Sequence, residues 1–186
     1  MMEGGTPYRI SLPDLSTEGE HDFDCTVTHN FTAHPKVDMK TGEMMTFGYS
    51  LTPPFLTYSV VNPDGRASHQ TEISLPKPIM MHDCAITGNY TIFPDLPLIF
   101  DFEKMLAGRS MVNWDPENGC RIGIVPRSGD DKTIRWFDIE ESFLFHAANS
   151  WEKGDEVVFQ ACRSNRGDIV TEENADMTDQ LGQLHE

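Results

Sequence analysis

Turn-forming residues recur every eight to twelve positions along most of this chain, and the stretches between them are too short for anything except strands. The opening, residues 1–22, is polar and broken by Gly and Pro, with at most one short strand around Tyr8 to Leu12. From residue 23 the pattern is β almost throughout. FDCTVTHNF alternates, with Phe23, Cys25, Val27 and Phe31 on one face. MMTFGYS and LTYSVV follow, and Asn62-Pro63-Asp64-Gly65 marks a turn before the next strand. Further strands are expected at 71–75, 79–87, 90–93, 97–100, 121–125, 133–138, 142–148 and 155–162. One stretch, DFEKMLAG, reads as helical: Asp101 caps it, Met105 and Leu106 can face inward, and Gly108 stops it. From Gly167 to Glu186 the composition turns acidic, with six Asp and Glu and few large apolar residues. That stretch reads as a loop, a frayed end or a truncated element. The expected organisation is a polar N-terminal segment (1–22), an all-β domain (23–166) and an acidic tail (167–186).

A run of short strands is compatible with a sandwich, a barrel or a propeller. The spacing of three histidines helps to choose. His34, His82 and His146 lie in strongly apolar segments, 48 and 64 residues apart. A four-stranded propeller blade takes roughly 40–50 residues. Each histidine can therefore fall once per blade, with the helical stretch inserted in the second interval. The first strands of successive blades surround one axis, so side chains borne by them can converge.

Charge narrows the partners. A net charge of −16 argues against nucleic acid, whose phosphates need clustered Lys and Arg, and against a polybasic membrane anchor. The four cysteines, Cys25, Cys84, Cys120 and Cys162, form no CxxC pair and suit a reducing compartment. Two sequons, at Asn30 and Asn89, lie in strand-like runs with no signal peptide before them, and chance accounts for them. No apolar run approaches the ~20 residues of a spanning helix. The expected location is cytoplasmic, or plastid if an upstream transit peptide belongs to the protein.

Taken singly, each histidine is ambiguous. In an extended strand His82 shares a side with Met80, Cys84 and Ile86, while Asp83 points the other way and is poorly placed to orient it. Taken alone, His82 reads better as a core histidine bonded to a backbone carbonyl than as a ligand. His146 follows Phe143-Leu144-Phe145 and precedes two alanines, which leave room around an imidazole. His34 precedes Pro35, which favours extended backbone at a strand end. His21, His69 and His185 sit in polar company and read as solvated, and His29 as surface or edge. Together, three imidazoles without thiolates suit iron, zinc, copper or nickel. There is no GxSxG, GxGxxG, P-loop or HExxH, and the many carboxylates reflect only an acidic chain.

The stretches FTAHPKVD, TGEMMTFGYS, PIMMHDCAIT, RIGIVPR, RWFDIE and FLFHAANSWEKGDEVV, in that order, resemble the carotenoid cleavage oxygenases, with the plant-type branch most similar. The resemblance implies about three blades of a seven-bladed β-propeller with one short helical insertion. It implies a non-haem Fe(II) on the axis, with His34, His82 and His146 as three of four histidine ligands. The fourth family ligand lies in a motif near the end of a much longer chain, and His185 does not match it. The glutamates that hold the family's ligand imidazoles are expected outside this chain. Phe145 resembles a residue lining the substrate tunnel. On this reading the chain is an internal piece of an enzyme that uses O2 to split a double bond of a carotenoid or apocarotenoid into carbonyl products. Peripheral membrane contact during substrate uptake suits the full-length protein. The alternatives are a stilbenoid-cleaving member of the family, a non-catalytic protein that binds apolar ligands, and a β protein with structural zinc.

Overall fold

In the computed structural model, residues 3–108, 110–165 and 184–185 are described, the last two and Met105 by backbone alone. The chain opens with an antiparallel hairpin, β1 (Tyr8–Ile10) and β2 (Thr17–Glu20). Next comes a four-stranded meander: β3 (Lys36–Val37), β4 (Met44–Tyr49), β5 (Phe55–Val61) and β6 (Ala67–Ser74). A second four-stranded sheet begins with β7 (Ala85–Ile86) and β8 (Tyr90–Asp95). It then detours through β9 (Leu98–Phe100), α1 (Phe102–Leu106) and β10 (Val112–Trp114), and returns as β11 (Arg121–Pro126) and β12 (Arg135–Asp138). A third sheet holds β13 (Phe143–Lys153), β14 (Glu156–Ser164) and β15 (Leu184–His185). Both four-stranded sheets have the antiparallel order of propeller blades, and the insertion falls in the second, as the histidine spacing anticipates.

Burial follows position in each sheet. Strands β4 and β8 are buried on both faces: β8 lies between the first and third sheets, and β4 between the second sheet and the irregular stretch that carries Val27, Asn30 and Phe31. The outermost strand of the first sheet, β6, alternates between half-buried and exposed residues over most of its length. Met45, Phe47, Leu56, Tyr58 and Ile73 of the first sheet join Phe93 and Val125 of the second in one core. Across it the Tyr58 hydroxyl meets Thr91 Oγ1 at 2.8 Å. A second cluster joins Ala85, Ile92 and Ile122 to Leu144, Val157 and Phe159 of the third sheet. Polar clamps reinforce both junctions. Arg127 reaches Asp38 at 2.7 Å and Glu43 at 3.1 Å, and donates to the Thr87 carbonyl. Glu152 accepts from Thr87 Oγ1 at 2.6 Å and from Asn89 N at 2.8 Å.

Several expectations need correction. Phe23, Asp24 and Cys25 all have positive φ (54°, 55° and 60°), so FDCTVTHNF is not a strand. Local bonds compete with any ladder there: Cys25 Sγ donates to Asp22, and Thr26 Oγ1 donates to the Phe23 carbonyl. Val27 and Phe31 are still buried, whereas Cys25 is exposed. Strand β2 escaped notice because TEGE has no apolar face to betray it. Residues 79–87 form a strand only at 85–86. The preceding backbone is tied to β9 instead, Met80 N donating to the Leu98 carbonyl at 2.8 Å. The helix is capped as expected, Asp101 Oδ1 accepting from Lys104 N at 3.1 Å. With only five residues it has no inward face at Leu106, which is 83% exposed. The turn at Asn62–Gly65 stands, with Gly65 N bonded to the Asn62 carbonyl at 2.9 Å. All four cysteines are free. Residues 167–183 and 186, the acidic stretch, lie outside the described residues. No helix among the described residues is long and apolar enough to cross a membrane.

Candidate metal centre

Each of the three candidate histidines stands at or near the first strand of its own sheet. His34 leads into β3. Its backbone N donates to Thr32 Oγ1 at 3.1 Å, while Thr32 N is held by the Phe47 carbonyl at 2.8 Å, so β4 anchors the approach. His82 leads into β7, on the irregular stretch that β9 supports. His146 lies within β13, at a break in register: Leu144 faces Arg163, but Ala147 faces Ala161. Two residues of one strand, Phe145 and His146, therefore oppose Cys162 alone on the other, a bulge that redirects both side chains.

The rings meet. His34 Nε2 is 2.9 Å from His82 Nε2, which is 3.2 Å from His146 Nε2. One ligand nitrogen from each of the three lies within 4.8 Å of the others. Two donors about 2.1 Å from a common ion stand at most about 4.2 Å apart, so the two shorter separations are ones a single cation spans. Burial holds the pKa of His34 below the ordinary histidine value, which favours the neutral, lone-pair-bearing ring.

His82 carries a further constraint. Its Nδ1 faces Glu3 Oε1 in close contact, and neither atom has another hydrogen-bond partner. A carboxylate accepts only, so Nδ1 bears the proton and Nε2 turns a free lone pair to the cluster. Glu3 is itself fixed: its Oε2 accepts from the Tyr49 hydroxyl at 2.9 Å, and its carbonyl from Asn30 Nδ2 at 3.0 Å. Asn30 crosses so close to β4 that a Cβ on Gly48 would stand 2.1 Å from the Asn30 carbonyl oxygen. This explains the glycine in TFGYS. The expectation that no imidazole-holding glutamate lies within this chain is therefore corrected. Glu3 offered no signal in MMEGG, because its partner is remote in sequence and no periodic pattern surrounds it.

The Phe145 ring lies 4.3 Å from that of His82 and 4.8 Å from that of His146, an apolar wall against two of the three imidazoles. Cys84, two residues after His82, is buried in the core between the first two sheets, and burial pushes its thiol up to about 12, so it is no thiolate ligand. Asp83 is buried against Lys36 at 2.6 Å, and its other partners are the backbone amides of Cys84 and Ala147. Among the described residues the other histidines have separate partners. His29 bonds the Asn30 carbonyl and Ser59, and His21 faces Arg9. His69 is not simply solvated, since its Nε2 meets the Gly129 carbonyl at 2.7 Å. The sequon asparagines are likewise engaged, Asn30 by backbone carbonyls and Asn89 by Glu152.

Comparison with known proteins gives the family of the chain. The family model described as retinal pigment epithelial membrane protein (RPE65) matches residues 1–184. The chain belongs to that family. It is 47% identical over 174 residues to carotenoid 9,10(9',10')-cleavage dioxygenase 1 of Arabidopsis thaliana, which covers 91% of this chain and 32% of that protein. It is 37% identical to isoeugenol monooxygenase of Pseudomonas putida, over 87% of this chain and 35% of that one. Among solved structures, the lignostilbene dioxygenase of Pseudomonas brassicacearum superposes with a TM-score of 0.82 at 32% identity, over 88% of this chain and 35% of that one. The chain thus spans about a third of the length of the curated relatives it matches, and its all-β fold is part of a carotenoid-oxygenase propeller.

Proposed function

We propose that His34, His82 and His146 are ligands of a non-haem Fe(II) centre, and that the protein to which this sequence belongs cleaves a carbon–carbon double bond of a carotenoid or apocarotenoid. The observation that carries this reading is the convergence of three Nε2 atoms from three sheets, one of them with its tautomer set by a half-buried glutamate. Iron bound there supplies the place at which O2 is activated to give two carbonyl products. This chain's own residues do the rest. The three imidazoles offer their Nε2 lone pairs to the cation. Glu3 orients His82, and Tyr49 orients Glu3. Phe145 excludes water beside the ligands and gives an apolar polyene a surface to lie against. The higher identity to the carotenoid-cleaving relative (47%) than to the lignostilbene dioxygenase (32%) supports a carotenoid-type substrate over a stilbenoid. In this reading residues 1–22 belong functionally to the propeller of 23–166, because they supply Glu3.

The test is anaerobic Fe(II) titration of the 186-residue chain beside its His34→Ala, His82→Ala and His146→Ala variants. Binding at one equivalent that each substitution removes supports a shared centre. Binding that survives any one of them, or a preference for zinc with no redox-active iron form, overturns the assignment.

A further inference from the structure

We infer that the buried Asp83–Lys36 pair is a positioning device that sets the three metal-binding segments in register, an inference that rests on the metal-centre reading above. Asp83 is 5% exposed, and its carboxylate is shared among three stretches of chain. Oδ1 receives Lys36 Nζ at 2.6 Å and its neighbouring amide, Cys84 N, at 2.8 Å; Oδ2 receives Ala147 N at 2.9 Å. Each of these groups stands beside a histidine. Lys36 is two residues after His34, Asp83 follows His82, and Ala147 follows His146. The three segments come from three different sheets, and no backbone ladder between β3, β7 and β13 ties them together. The carboxylate is one cross-link shared by all three beside the histidines, in addition to the Arg127 and Glu152 clamps.

Chemistry explains why a charge does this. A carboxylate has two oxygens and about four acceptor sites, so one small group can take donors from several directions. An amide of the same shape accepts on one oxygen only and turns donors towards the others. The buried carboxylate is tolerable only with its cation and amides in place, so loss of any partner unsettles all three segments together. A metal site needs its donors held to within about 0.5 Å, which short strand ends do not ensure alone. Glu3 sets the ring of one ligand; Asp83 sets the spacing of all three.

The test compares Asp83→Asn and Lys36→Met with Arg121→Met, which breaks the equally buried Asp95–Arg121 pair of the second sheet (2.7 Å) away from the histidines. Cobalt(II) is the probe, because imidazole-bound cobalt absorbs in the visible and reports its own geometry. Asp83→Asn and Lys36→Met are each expected to weaken Co(II) binding at least tenfold and to shift the visible band. Arg121→Met lowers the unfolding midpoint and leaves both unchanged. Should Lys36→Met fail to fold, the uncharged double variant Lys36→Met/Asp83→Asn takes its place with the same expected loss. Variants that melt earlier but keep wild-type affinity and spectrum reduce the pair to a structural ion pair and overturn the inference. If the wild-type chain binds no Co(II), the metal reading fails separately. The imidazole 15N shifts of the metal-free chains then decide the positioning claim. Movement of all three rings in Asp83→Asn but not in Arg121→Met upholds it, and unmoved rings overturn it.

Discussion

The junction between the first two sheets and the histidine cluster are neighbours built on opposite terms. At the junction, Phe47, Tyr58 and Phe93 are sealed within long, regularly paired strands, and their rings meet edge to face at 5.4–5.8 Å. Register comes from the ladders, and apolar area supplies the stability. At the cluster the strands are short or interrupted: β3 and β7 have two residues each, and β13 is bulged. There, position comes from single polar contacts between segments remote in sequence. Apolar packing tolerates small shifts because dispersion and burial change gradually. A ligand set does not, since one lone pair turned aside is a ligand lost. The two regions should therefore fail differently.

The sharpest way to break that contrast is Phe93→Ala. Truncating a fully buried ring costs about 3–5 kcal/mol, so urea unfolding should show a drop of that size. Metal affinity at temperatures where the variant stays folded should hardly change. Glu3→Gln runs the other way. Losing the carboxylate behind His82 should weaken metal binding about 10–100-fold, read by Co(II) titration, with a much smaller change in the unfolding midpoint. Gly48→Ala tests the link between the regions. Its Cβ would meet Asn30 at 2.1 Å, which demands a shift of the Asn30 backbone. We expect about 1–3 kcal/mol of destabilisation and a several-fold loss of metal affinity through Asn30 and Glu3. The smallest effect belongs to Glu152. Bonds from Thr87 and Asn89 hold its carboxyl below the ordinary glutamate value of 4.5. A lowered folded-state value stabilises above the unfolded pKa and is lost as pH falls through the folded one. Wild type should thus be slightly more stable than Glu152→Gln at pH 7, by about 1 kcal/mol or less, and the gap should close in acid below about pH 4. Thermal melts at both pH values measure it.

How much of this was legible beforehand varied by residue. His34, His82 and His146 could be singled out because apolar company makes a histidine conspicuous, and blade-like intervals made convergence plausible. The turn at Asn62–Gly65 and the cap at Asp101 were readable because their causes lie within four residues. Phe23–Cys25 misled, since its alternation is genuine but Asp22 and Thr26 divert the backbone locally. Residues 79–84 misled for the opposite reason: the apolar run is buried, yet its backbone partner is β9 rather than a ladder within its own sheet. Glu3 and Lys36 could not be found at all, because a carboxylate or ammonium in a polar stretch is ordinary until its partner is known.

Local pattern alone determined that this chain is made of strands, where most of them lie, and which histidines sit in apolar surroundings. These follow from side-chain alternation and turn chemistry, which act over a few residues. Only the tertiary structure decided that three rings share one point, that Glu3 sets the tautomer of one, and that Asp83 binds all three segments behind them. Those contacts join residues tens of positions apart, and their energies arise only when the sheets have come together and excluded water.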